Sequence, residues 1–135
     1  MRGIDSNILV YALNKDLPEH LPCKELLIGI INGKELIGIP SIVFMECFHA
    51  LVKAFKYKEV EVKKRLVAII DSRNVNVFDI STSSILFAFE IAEKYRTGGR
   101  DSLIAASLLE NKIQELYSHD SDFDSILLMK RIDPT

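Results

Sequence analysis

Four acidic residues fall where apolar, strand-like runs of this chain hand over to helix-like ones. Asp5 follows Gly3-Ile4, Glu46 interrupts an apolar helical stretch after Pro40-Ser41, Asp101 opens a helix after Gly98-Gly99, and Asp120 follows Leu116-Tyr117-Ser118. Carboxylates gathered at one point repel each other and take up protons more readily unless cations neutralise them. A converging set of acids therefore points to a hard divalent metal such as Mg²⁺ or Mn²⁺. Taken singly, each has a plainer use: Asp5 and Asp101 can cap helices and favour the helix dipole, and Asp120 can be a turn residue. Glu46 is harder to place that way, because a lone carboxylate on an apolar helix is costly to bury.

These acids need elements that bring them together. Met1 to Ile4 reads as a strand, so Asp5 falls at its C-terminal end, where an open parallel sheet keeps its ligand crevice. Ile8, Leu9, Tyr11, Ala12 and Leu13 recur at helical spacing until Asn14-Lys15-Asp16 breaks the pattern. A second helix begins near Pro18 to Pro22 and stops at Asn32-Gly33, where glycine can take the left-handed terminating conformation. Leu36 to Pro40 is a brief buried strand, and Ser41 is the expected N-cap of a helix from Ile42 to about Lys56. A charged amphipathic helix from about Glu59 to Asp71 and a half-buried strand at Val75 to Phe78 follow.

Ser81 to Ser84 offer caps for a helix through Tyr95, with Gly98-Gly99 as its terminator. The helix from Asp101 to about Asn111 is apolar all round and should be deeply buried. Leu116 to Ser118 forms a further strand, and a last short one is expected near Arg131-Ile132. Such alternation predicts a three-layer α/β/α fold around a central, mostly parallel sheet, with residues 1–135 as one domain.

Composition narrows the function classes. With 17 Lys and Arg against 19 Asp and Glu, no overall basic field announces nucleic acid, although a local basic face is compatible with it. Cys23 and Cys47 are isolated in apolar patterns, which excludes a disulfide framework and reads as buried thiols. The first residues carry no signal-peptide core and no apolar run matches a bilayer, so a soluble, cytoplasmic protein is expected.

Several other constellations fail. Asp120, Asp122 and Asp124 have the spacing of a calcium loop, but Ser125 stands where its turn glycine belongs and Arg131 where its closing glutamate belongs. Gly98-Gly99 lacks the further glycines or lysine of a phosphate loop, and Ser102 and Ser107 lack a nucleophile elbow, so both serines read as packing or capping groups. A haloacid-dehalogenase-like phosphatase would need an aspartate where Asn7 stands. The histidines have no zinc spacing: His20 sits in a proline-flanked loop expected to be solvated, and His119 is expected to make a local hydrogen bond.

Asp5-Ser6-Asn7-Ile8-Leu9-Val10-Tyr11-Ala12, Glu46 in its apolar helix, Arg100-Asp101-Ser102-Leu103-Ile104-Ala105-Ala106 and Tyr117-Ser118-His119-Asp120-Ser121-Asp122-Phe123 resemble, in order and spacing, the signature blocks of PIN-domain nucleases. The resemblance spans nearly the whole chain and is closest to the VapC-type toxins of prokaryotic toxin–antitoxin pairs. It implies that Asp5, Glu46, Asp101 and Asp120 are catalytic and bind Mg²⁺ or Mn²⁺, with Asp122 as a possible fifth acid. Asn7 would support Asp5, and Ser118 would offer a hydroxyl to a metal-bound water.

The implied activity is endoribonuclease hydrolysis of RNA phosphodiesters by a metal-activated water, leaving a 5′ phosphate. A homodimer and a small antitoxin are the implied partners. A housekeeping PIN nuclease of RNA processing or decay, and a catalytically silent phosphate-binding or interaction module on the same scaffold, are the alternatives. His49 and Lys53 share a helical face with Glu46 and could look into the active groove or form a surface stripe of mixed charge. Arg100 and the stretch Lys53, Lys56, Lys58, Lys63, Lys64 and Arg65 are candidates for holding a phosphate backbone.

Overall fold

Five short strands form a single sheet: β1 (Arg2–Ile4), β2 (Ile37–Pro40), β3 (Val75–Phe78), β4 (Glu115–Tyr117) and β5 (Lys130–Ile132). The computed structural model describes residues 1–135. Every pairing is parallel and the spatial order is β3-β2-β1-β4-β5. Parallel neighbours require crossovers, which the helices supply: α1 (Ser6–Leu13) and α2 (His20–Ile31), then α3 (Ser41–His49) and α4 (Glu59–Ile70), then α5 (Thr82–Tyr95) and α6 (Gly99–Glu110).

The chain steps outward from β1 to β2 to β3, then returns past β1 to β4. Right-handed crossovers therefore set α1 to α4 on one face and α5 and α6 on the other, giving the expected three layers. The reversal leaves a switch point between β1 and β4, and Asp5 and Ser118 follow those two strands directly.

Height above the sheet is set by close packing. A Cβ on Gly3 would lie 2.5 Å from Leu108 Cδ1, so only glycine lets α6 settle onto β1 here. Asp101 lies seven residues up α6 from Leu108, a rise of about 10 Å, while Asp5 lies two residues up β1, about 7 Å. Both acids thus reach the C-terminal edge of the strands.

Three local readings need correction. The N-cap of α3 is Pro40, Ser41 is its first residue, and no side chain caps it. Helix α5 ends on Arg96 in the left-handed conformation (φ 55°, ψ 47°), not on glycine; Gly98 instead caps α6 in extended geometry that any residue can adopt. Ser81 does cap α5, through a reciprocal box with Ser84.

The third correction concerns α3, which does not run on regularly to Lys56. It widens into a π-helical turn at Ala50–Ala54, where Phe55 N–H donates to Ala50 O, and Lys56 (φ 63°) closes it.

One core of apolar side chains spans the sheet and both helical layers, and Cys23 and Cys47 are buried in it as free thiols. On the α3–α4 side, Val43, Phe44, Leu51, Val62, Leu66 and Ile69 are buried. Met45 and Val60 stay 64% and 71% exposed beside an apolar groove of about 570 Å³ between the two helices.

Candidate metal centre

Asp5 is 1% exposed at the end of β1 and is the N-cap of α1. Its backbone N–H donates to Tyr117 O, which continues the β1–β4 ladder by one residue. Ser6 N–H donates to its Oδ1 at 2.7 Å, and the Ser118 hydroxyl donates to its Oδ2 at 2.8 Å. Ser118 Oγ in turn accepts from Asp120 N–H at 3.0 Å. A fully buried hydroxyl thus ties the acid after β1 to the acid after β4. The proton of Ser118 is thus spent on Asp5, which leaves its oxygen able to meet a water only as an acceptor.

Asp120 caps a 3-10 turn (Ser121–Ser125), accepting from Asp122 N–H at 2.9 Å. The turn folds Asp122 back, and carboxylate oxygens of Asp101, Asp120 and Asp122 come within 4.8 Å of one another. Asp122, the uncertain fifth acid of the sequence, therefore joins the tightest group. Glu46 faces the same region from α3, where its Oε2 lies 2.8 Å from Arg100 Nε; Asp101 Oδ1 is 3.9 Å from the same nitrogen. The Glu46–Arg100 contact lies off the N–H direction, so both Glu46 oxygens lack a hydrogen bond, and Asp101 Oδ1 lacks one too.

Burial and mutual repulsion show in the titration of these groups. Desolvation, then repulsion from Asp120 and Asp5, pushes Asp101 up to about 6. Asp5 is also raised by burial, against the hydrogen bonds from Ser118 and Ser6. Glu46 is raised by burial, partly offset by Arg100. Buried carboxylate oxygens without donors, in a set rich in hard oxygen ligands, fit a small divalent cation and suit few other ligands.

The remaining sequence candidates are placed as follows. Asn7 Oδ1 accepts from His119 N–H at 3.5 Å and makes no hydrogen bond to Asp5. His49 and Lys53 are exposed, and neither makes an ion pair or hydrogen bond with the acids. The π-helical turn that follows His49 takes Lys53 off the line of Glu46 that a regular helix would keep.

His20 is half-buried rather than solvated, its Nδ1 bonded to Tyr11 O at 2.7 Å. His119 departs from the expected local bond: its Nδ1 lies 2.8 Å from Asp133 Oδ2, a residue brought to it from beyond β5. Asp124, the last of the calcium-loop triplet, is taken by Arg131 at 2.9 and 3.1 Å. Ser102 bonds Thr97, and Ser107 is buried in α6, so neither is a nucleophile.

A parallel sheet with a single reversal and an acidic cluster at that reversal place the chain among the open, three-layer α/β folds. More narrowly, residues 4–126 match the PIN domain family, and the chain belongs to it. Ribonuclease VapC13 of Mycobacterium tuberculosis is 26% identical over 131 residues, spanning 96% of this chain and 97% of that protein. Among solved structures, VapC20 of M. tuberculosis, described as a Sarcin-Ricin loop cleaving toxin, superposes with a TM-score of 0.77 at 18% identity, over 93% of this chain and 94% of the other. VapBC2 from Rickettsia felis, bound to a promoter DNA fragment, superposes with 0.72 at 20% identity, over 98% and 97%.

Proposed function

We propose that residues 1–135 act as one nuclease domain, a divalent-metal-dependent endoribonuclease that serves as the toxin of a toxin–antitoxin pair in the cytoplasm. The observation that carries this reading is the convergence of Asp101, Asp120 and Asp122 at the sheet edge of a PIN domain, beside buried oxygens of Glu46 and Asp101 that have no hydrogen-bond donor.

Asp101, Asp120 and Asp122 would hold Mg²⁺ or Mn²⁺, with Asp5 and Glu46 closing the negative field around it. When bound, the cation would activate a water and neutralise charge developing on the phosphate. Ser118 keeps Asp5 and Asp120 in register by donating to one and accepting from the other. The Arg100 side chain is 58% exposed, so it is free to exchange Glu46 for a phosphate oxygen of the RNA.

The partner reading rests on the relatives and on shape. A toxin–antitoxin complex from Klebsiella pneumoniae shares the fold, and the apolar groove between α3 and α4 suits either the amphipathic helix of such a partner or a second subunit. The activity is tested by incubating purified protein with a mixed RNA pool in Mn²⁺ or EDTA and mapping new ends. Cuts with 5′ phosphates that need Mn²⁺ and vanish in Asp5→Asn are expected. RNA left intact in Mn²⁺, or equal cutting in EDTA, would sink the proposal.

A further inference from the structure

Five carboxylates face the centre and one guanidinium stands beside them, so the phosphates flanking the scissile bond are repelled there and need cations elsewhere. The far end of α1 supplies them. A hollow of about 380 Å³ opens there, lined by Lys15, Lys24, Arg65, His20 and Tyr57, with no acid among its walls. Asp16 and Glu19, in the turn between α1 and α2, do not line it. Lys15, Lys24 and Arg65 form no ion pair within the chain, so their charges are uncommitted.

The walls are held in place by polar contacts. Arg65 Nη1 donates to Leu13 O at 3.3 Å, and the Tyr57 hydroxyl donates to Oδ1 of buried Asn14 at 3.1 Å. Contacts also join the hollow to the acids. His119, next to Asp120, meets the Tyr11 ring edge-on at 5.7 Å, and Tyr11 O bonds His20, which lines the hollow. Asp5 caps the start of α1 and Leu13 ends it, so hollow and centre lie about one eight-residue helix, roughly 12 Å, apart. That span suits a few nucleotides of single strand, with Tyr11 and His119 as aromatic surfaces on the way.

We propose that this hollow is a phosphate-binding subsite that grips a single-stranded RNA on one side of the cleavage point. The assignment rests on RNA being the substrate, so its test reads binding apart from cleavage. In an Asp101→Asn background, the affinity for a fluorescent single-stranded RNA of about ten nucleotides is measured across a salt series. Each phosphate contact contributes about 0.7 to the slope of log affinity against log salt. Lys15→Gln with Lys24→Gln, both exposed and leaving the Arg65–Leu13 bond intact, should flatten the slope by about 1.4; adding Arg65→Gln should bring the loss to about 2.

With Asp101 restored, the triple variant should cut the long RNA at least tenfold more slowly while cutting a dinucleotide at the wild-type rate. An unchanged slope, or equal losses on long and short substrates, overturns the subsite. So does displacement of a bound acidic peptide by these substitutions with RNA binding intact, which would make the hollow a peptide site. If wild type never cuts RNA but the slopes change as stated, the nuclease reading falls and the subsite stands.

Discussion

Replacing Asp101 by asparagine removes one negative charge from a crowded centre and keeps the side chain's shape. The Asp101 carboxyl is raised from 3.8 to about 6, so ionising it in the metal-free fold costs up to about 3 kcal/mol. The folded value is the higher one, so the folded chain holds this proton more tightly than the unfolded chain. The stability it lends is fully present below 3.8 and is lost as pH climbs through about 6. In EDTA, wild type should therefore lose stability between pH 5 and pH 7.5, whereas Asp101→Asn has no such proton to lose.

At pH 7.5 the variant should melt about 5–10 °C above wild type, and the gap should shrink at pH 5. Mn²⁺ should invert the order. At a thousand times its dissociation constant it adds about 4.1 kcal/mol to the protein that binds it, more than the gap of up to about 3 kcal/mol, and the variant should gain far less. Melting curves at both pH values, in EDTA and in Mn²⁺, read all four conditions. A variant less stable than wild type in EDTA at pH 7.5, or equal Mn²⁺ stabilisation of both proteins, would refute the reasoning.

Three further outcomes follow from single contacts. Ser118→Ala leaves Asp5 Oδ2 and Asp120 N–H without their buried partner, so it should cost about 1–3 kcal/mol in chemical denaturation and weaken Mn²⁺ binding in calorimetry. Gly3→Ala drives a methyl into the fully buried Leu108 and should cost a similar 1–3 kcal/mol, again with weaker Mn²⁺ binding because β1 positions Asp5. Val60→Lys, at a residue 71% exposed on the apolar groove, should leave the melting temperature within a degree or two while abolishing assembly seen by light scattering; unchanged assembly would remove the groove from the interface.

Periodicity and turn residues carried most of the fold, because the strands and helices here are short and some are bounded by a residue that acts locally, as Asp5 does for α1 and Ser81 for α5. Where an end depends on something else, the reading slips. Arg96 ends α5 in a conformation usually left to glycine, and the two glycines beyond it serve the start of α6. The π-helical turn after His49 has no glycine or proline to announce it, yet it decides where Lys53 goes.

The centre was legible for a physical reason. A short acid at a strand end or helix start is pinned by its own neighbourhood: Asp5 through Ser6 N–H, Asp120 through Asp122 N–H. Capping and convergence are therefore not rival readings of these residues, since the cap uses one oxygen and fixes where the rest of the carboxylate points. Cations follow a different rule. Arg100 meets Glu46, and Arg65 meets the end of α1 close to Lys15 and Lys24, only because separate helices deliver long, flexible side chains to one place. No local pattern encodes such a meeting. The acids that gather at the sheet edge can be read from the chain, but the cations beside them appear only once the helices are packed.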